Sequence, residues 1–215
     1  MIVNQLISTE YNALKPSDSV QLALIYMEDY GVRNLPLVKD EKLLGYVQYA
    51  TLENMDPLAN LSEVAIDPAF FLNPEHTFFK AIQLFAETEN DLLAVCNPEF
   101  QGMLWIKDLI KAVGRSTTAS NDGAVLLLKC WSKDYSISQL GRFVESEDAK
   151  ILGLWIWQSA SNGQLEIMVK LNIYHIDNLS LLLKTHGYEV LHKVNHQDVD
   201  QNEERYLSLL KYLDI

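Results

Sequence analysis

Positive charge is scarce in this sequence relative to negative charge. Its 215 residues carry 17 Lys and Arg against 29 Asp and Glu, a net charge of −12. Phosphate backbones and anionic lipid surfaces are bound by clustered Lys and Arg, so neither nucleic acid nor a membrane surface is expected as a partner. Nor is there an apolar run of the roughly 18 residues that a spanning helix needs. Met1 to Glu10 holds no Lys or Arg and no long apolar stretch, so no signal peptide is expected. There are two cysteines, Cys96 and Cys130, each inside an apolar run, where a thiol acts as a small buried hydrophobe and not as part of a disulfide framework. These features point to a reduced, cytoplasmic chain.

Catalytic patterns are missing as well. No glycine-rich phosphate loop and no Gly-x-Ser-x-Gly is present, and Ser159, Ser161 and Ser116 have no neighbouring base in sequence. His186, His192 and His196 have no nearby cysteine to complete a zinc set, and the apolar alternation before His192 favours a strand, which separates it from His196. Glu145-Ser146-Glu147-Asp148 reads as a solvated helix end. No enzyme, no catalytic residue and no metal site is expected.

What is present is a repeat. Val20, Ala23, Leu24 and Met27 are apolar at i, i+3, i+4 and i+7; 58 residues on stand Phe78, Ala81, Ile82 and Phe85, also all apolar. Pro16 maps to Pro74 by the same shift, while Leu35, Val38, Gly45, Tyr46 and Val47 map to Leu92, Val95, Gly102, Met103 and Leu104 at 57. One residue is therefore expected to be lost in the turn containing Gly31. Each copy reads as lead-in, amphipathic helix, apolar strand, turn, glycine-led strand and short helix, a duplicated α/β unit. Ser17 or Asp18 is expected to cap the first helix and Gly31 to end it. Pro36 suggests that one side of its strand lacks a ladder partner, and Val64-Ala65-Ile66 is expected to be a strand opening the second copy. Arg115 to Asn121, rich in Ser and Thr, reads as a linker.

The last third has its own pattern. Ala124–Trp131, Lys150–Gln158, Gln164–Asn172 and Tyr188–Lys193 read as strands, with helices at Ile137, Leu140, Val144 and at Ile176, Leu179, Leu183, and a tight turn at Asn162-Gly163. The order β-α-β-β-α-β is ferredoxin-like. Trp155 and Trp157 share one strand face, which is either core or an exposed contact surface. Tyr206, Leu209, Leu210 and Leu213 give a terminal amphipathic helix. The expected organisation is an α+β / α/β chain: repeat one over 1–60, repeat two over 61–116, a linker over 117–122, a ferredoxin-like domain over 123–196 and a C-terminal helix over 197–215.

The repeats resemble the CBS domain, named for cystathionine β-synthase, which occurs as a tandem pair. The resemblance rests on Val32-Arg33-Asn34-Leu35-Pro36-Leu37-Val38 with Gly45-Tyr46-Val47, and on Gly102-Met103-Leu104-Trp105-Ile106-Lys107-Asp108. It implies a pseudo-twofold α/β pair that binds adenosine-containing ligands between its copies: AMP, ADP, ATP or S-adenosylmethionine. The family pattern is a glycine, two apolar residues, Thr or Ser, two variable residues and Asp. Copy one departs from it with Gln48 and Thr51, and copy two keeps Asp108 but has Trp105 in the hydroxyl position. The resemblance thus makes Asp108, Ile106 and Trp105 the candidate adenosine site, with Asp108 as a simple helix cap the alternative reading. The C-terminal unit resembles the ACT domain, whose ligand turn corresponds here to Asp134-Tyr135-Ser136-Ile137, without that family's glycine. A CBS pair followed by an ACT-like domain is the layout of the acetoin-utilisation regulatory protein B family. It implies a homodimeric, non-enzymatic sensor signalling to a protein partner. The alternative is a ligand-free dimeric scaffold with degenerate sites.

Overall fold

The computed structural model describes residues 1–88, 90–158 and 163–195, for Trp157 and Gln158 the backbone alone. The chain divides into two units, Met1–Gly114 and Arg115–Ile215.

In the first unit, helix α1 (Val20–Tyr30) buries Val20, Ala23 and Met27, as its spacing requires. Its cap is Ser19, whose hydroxyl accepts from Leu22 N–H at 3.2 Å, and not Ser17 or Asp18; Asp18 is occupied one turn earlier, accepting from Lys15 N–H at 2.8 Å. Gly31 ends the helix at φ +67°. Strands β1 (Asn34–Lys39) and β2 (Lys42–Gln48) form a hairpin, and the short helix α2 (Tyr49–Leu52) follows. Copy two repeats the order: β3 (Phe71–Leu72), α3 (Phe78–Thr88), β4 (Leu92–Cys96), β5 (Phe100–Trp105) and α4 (Ile106–Gly114). Val64-Ala65-Ile66 is not a strand; it leaves a 3-10 turn at Leu61–Glu63. Pro36, which cannot donate, accepts from Leu14 N–H at 2.9 Å, and Val38 N–H donates to Leu14 O at 2.8 Å, so the strand is partly paired on that side too.

The hairpin registers relocate the missing residue. Leu35 pairs with Val47 and Leu93 with Leu104; both hairpins are irregular at one equivalent place, between Leu37 and Val38 and between Val95 and Cys96. The first strand of each copy is thus still shifted by 58 and only the second by 57. Tyr49 N–H bonds Arg33 O, and Ile106 N–H bonds Asp91 O, at the same mixed shift. The residue is lost in the hairpin turn, where Lys39 to Lys42 becomes Asn97 to Glu99, and not at Gly31.

The copies are tied together by a reciprocal exchange of their lead-in segments. Val3 N–H donates to His76 O at 2.9 Å and Leu61 N–H to Asp18 O at 2.9 Å; Asn4 N–H donates to Pro74 O and Ser62 N–H to Pro16 O, both at 3.0 Å. Every atom pair in one set is the other set displaced by 58 residues. Ser8 pairs with Met103 of β5, and Asp67 pairs with Tyr46 of β2. Val3 accordingly packs with Ala81, Phe85, Leu93 and Leu104 of copy two, while Leu61 and Val64 join α1, Leu35 and Leu37 of copy one. Leu92, Ala94, Cys96 and Trp105 turn to the copy-one core, and Leu93 and Val95 to the opposite face, so β4 is buried on both sides. The duplicated fold is a pseudo-twofold pair.

In the second unit β6 (Ala124–Trp131), β7 (Ile151–Gln158), β8 (Gln164–Leu171) and β9 (Glu189–Asn195) form one sheet in the order β7-β8-β6-β9, every neighbour antiparallel. With α6 (Ile137–Glu145) and α7 (Asp177–Thr185) in the connections, this is the ferredoxin-like topology. Ala124, Leu126, Leu128, Leu165, Ile167 and Val169 pack against Leu140, Val144, Leu179 and Leu183 of the helices. Trp155 pairs with Met168 on the other face and is exposed. Where composition suggests a linker, Thr117–Ser120 forms a helical turn, α5, capped by Ser116; the Thr118 hydroxyl donates to Leu152 O at 2.6 Å. Asn162, His196 and the expected helix at Tyr206–Leu213 lie outside the described residues.

Candidate ligand clefts

The pseudo-twofold creates two related concavities in the first unit. Cleft one, about 660 Å³, is lined by Tyr11, Ala13, Lys15, Pro16 and Ser17 of the lead-in, Val38 to Glu41 of the first hairpin, and Phe100 of β5. Cleft two, about 320 Å³, is lined by Lys42, Leu43, Ala69, Phe71, Cys96 and Pro98. Tyr11 corresponds to Ala69, Ala13 to Phe71, Val38 to Cys96 and Asp40 to Pro98 at a shift of 58, and Leu43 to Phe100 at 57. These are one site written twice with different side chains. Each combines the lead-in and first hairpin strand of one copy with the glycine-led strand of the other; Phe100 N–H donating to Glu41 O at 2.7 Å fastens that junction in cleft one.

Cleft one has an apolar wall of Tyr11, Ala13, Val38 and Phe100 and a rim of Lys15, Lys39, Asp40 and Glu41. Asp40 and Glu41 sit at φ 48° and 62°, which turns the hairpin tightly and leaves both carboxylates exposed. In cleft two burial pushes the Cys96 thiol up to about 11, so it stays protonated and a poor nucleophile.

Trp105, 2% exposed, fills the hydroxyl position of the motif. Its ring lies 4.5 Å from that of Tyr11 and 6.2 Å from that of Tyr30, with Lys107 Nζ 4.1 Å from its centroid. Its indole Nε1 has no hydrogen-bond partner among the described residues. Trp105 therefore stands behind cleft one, supporting Tyr11 and not lining the cleft. Ile106 turns away into an apolar groove of about 350 Å³ between α3 and α4, with Ile82, Phe85, Leu109 and Ile110. Asp108 is the third residue of α4, its side chain 35% exposed and 3.5 Å from Lys111 Nζ. It does not cap the helix from the flanking position; in the first turn its charge suits the helix dipole. In copy one Gln48, at the position of Trp105, donates to Asp67 Oδ2 at 2.8 Å and so secures the exchanged segment. Tyr11, Ala13, Lys15, Val38 and Phe100 escaped sequence reasoning, although applying the 58-residue shift to the lead-ins would have paired Ala13 with Phe71.

In the second unit Asp134 is exposed on a 3-10 turn, Ser132–Asp134, at the end of β6. Ser136 caps α6, and its N–H donates to the Tyr188 hydroxyl at 3.4 Å. Among the described residues no three His, Cys, Asp or Glu side chains cluster to hold a metal, and no helix is long and apolar enough to cross a membrane.

Residues 3–50 match the family model of the CBS domain. No curated protein matches the chain. Among solved structures, a CBS domain pair/ACT domain protein from Thermotoga maritima is 21% identical, with 53% of this chain and 96% of that one covered and a TM-score of 0.48. A putative acetoin utilization protein (AcuB) from Vibrio cholerae is 18% identical over 53% and 90%, TM-score 0.46. CBSX2, solved in complex with AMP, is 20% identical over 52% and 95%, TM-score 0.44. The chain carries a CBS-domain match over residues 3–50 and resembles the CBS-domain pair proteins.

Proposed function

We propose that the chain is a non-enzymatic regulatory protein of the cytoplasm that binds an adenosine-containing ligand in cleft one. The observation that carries this reading is the makeup of that cleft. Its 660 Å³ is the size of an ordinary small-molecule site, with a flat apolar wall for a base beside two lysines for phosphate. Asp40 and Glu41 offer acceptors for ribose hydroxyls and repel a long polyphosphate, which favours AMP over ATP among AMP, ADP, ATP and S-adenosylmethionine. Trp105 holds Tyr11 in place from behind; Asp108, three residues further on, extends the site only if the ligand reaches the first turn of α4. The AMP bound in CBSX2 agrees with this class.

Millimolar AMP is expected to raise the melting temperature, because a ligand at about 100 times its Kd adds about 2.7 kcal/mol to the native state. Lys15→Glu should reduce that shift. Loss of the shift in Asp108→Ala would extend the site to α4. No shift with any of the four compounds supports the ligand-free scaffold instead, a reading favoured by Trp105 in the hydroxyl position.

The second unit acts as an ACT-like partner domain in this reading, its topology supporting the assignment. In this reading the homodimer forms through the α3–α4 groove. Ala86 and Ile110 occupy that face where copy one has Glu28 and Glu53, so only the copy-two face is apolar throughout. Ile110 is 64% exposed there, and an isologous contact brings it near its own counterpart in the second copy. Ile110→Glu should convert a dimer to a monomer by light scattering; a wild-type monomer, or an unaltered dimer in the variant, removes this interface.

A further inference from the structure

We infer that the two clefts are not equivalent and that the chain takes one ligand, in cleft one, because Phe71 closes cleft two to it. The inference rests on the cleft-one reading for the ligand's identity, but its geometric content is independent of adenosine.

Ala13 and Phe71 occupy the same place, each one residue ahead of the leucine that pairs in parallel with its hairpin: Leu14 with Leu37, and Leu72 with Val95. A methyl group lines cleft one where a benzyl group lines cleft two. Phe71 remains 52% exposed, so its ring lies at the mouth and is not drawn into the core. The cavity there is about 320 Å³ against about 660 Å³, even though Ala69 replaces the much larger Tyr11. Tyr11 does not obstruct its own cleft, because Trp105 and Tyr30 draw its ring to the back, at 4.5 and 4.8 Å.

Charge does not separate the clefts as size does. Lys15, Ser17 and Lys39 line cleft one, and the equivalent positions are Asn73, Glu75 and Asn97. Two cations are removed, but two anions go with them, because Pro98 stands at the position of Asp40 and the shortened turn has no equivalent of Glu41. Cleft two keeps one lysine on its rim, Lys42. The charges lining cleft one cancel, Lys15 and Lys39 against Asp40 and Glu41, so shape and not charge distinguishes the two clefts.

The test uses the full chain and AMP as the probe, by calorimetric titration. Wild type is expected to bind one AMP per chain. Ala13→Phe, which writes the copy-two residue into copy one, should lower affinity at least tenfold, and Lys15→Glu, a surface change with no packing cost, should lower it by about tenfold. Phe71→Ala should leave the first site intact. Two AMP per chain in wild type, or a single site lost in Phe71→Ala and kept in both copy-one variants, overturns the inference. Absence of AMP binding would remove the adenosine reading alone, and the clefts are then compared directly through Ala13→Cys and Ala69→Cys. The rate of alkylation by bulky N-phenylmaleimide relative to small iodoacetamide should be several-fold higher at position 13 than at 69, with Cys96 and Cys130 buried and slow. Equal ratios, or the reverse, contradict it.

Discussion

Gly45→Ala is expected to destabilise the first unit by about 2–3 kcal/mol, and Gly102→Ala to do the same. A β-carbon on Gly45 would stand 2.3 Å from Asp67 O, and one on Gly102 would stand 2.7 Å from Ser8 O. These are the two points where an exchanged lead-in crosses the glycine-led strand of the other copy. At Gly45 the obstacle is a backbone carbonyl in a paired bridge, and at Gly102 it is such a carbonyl together with the Ile7 Cγ2 methyl at 2.7 Å, so relief at either position means breaking the pairing. Gly102 adds a φ of +143°, which side-chain-bearing residues rarely adopt. Urea unfolding followed by circular dichroism should show both midpoints falling together. Gly114→Ala is the control, since a β-carbon there meets nothing within 4 Å. An unchanged midpoint in Gly45→Ala means that Asp67 does not cross at that strand.

Tyr46→Phe should cost about 2–3 kcal/mol, although it removes one atom. The Tyr46 hydroxyl accepts from Ala94 N–H at 2.7 Å and donates to Phe70 O at 2.8 Å. One oxygen thus joins β2 of copy one to β4 of copy two and to the lead-in of copy two. Phenylalanine would leave a buried N–H without its acceptor, which costs more than the bond itself contributes. The copy-two counterpart, Met103, has no hydroxyl, so Met103→Leu should cost under about 1.5 kcal/mol. Burial raises the pKa of the Tyr46 hydroxyl well above its ordinary value. A raised value means that the protonated form is favoured in the folded state: the stabilisation is present below about pH 10 and is lost as pH rises further. The gap between wild type and Tyr46→Phe should therefore narrow in strong alkali.

The repeat was legible because a helix face must bury every third or fourth residue, and Val20, Ala23 and Met27 recur as Phe78, Ala81 and Phe85. The place of the missing residue was not. Leu35-Pro36-Leu37-Val38 and Leu92-Leu93-Ala94-Val95-Cys96 are apolar throughout, so they slide past one another by one position without penalty in pattern; only hairpin hydrogen bonds fix the register. The exchange of lead-ins was hidden for a related reason. Ser8 and Asp67 are polar residues in short bridges whose partners lie far away in sequence, and nothing local marks them. In the second unit the period-2 alternation of Leu165, Ile167, Val169 and Leu171 revealed strand and face together, because one side of that sheet carries α6 and α7 while the other, among the described residues, meets only the short α5. At the site, Trp105 was visible as a departure from the family pattern. Its burial behind Tyr11, and the cleft that Tyr11 and Ala13 line, depend on chain crossings that composition does not report.

The account rests on two α/β copies related by a pseudo-twofold, each completed by the other's lead-in. Its most direct test is a nuclear Overhauser spectrum of the labelled full chain. Cross-strand contacts are predicted between Ser8 and Met103 and, equally, between Asp67 and Tyr46. If either pair were absent while the β1–β2 and β4–β5 hairpin contacts appeared normally, the exchange, and the paired clefts built on it, would be contradicted.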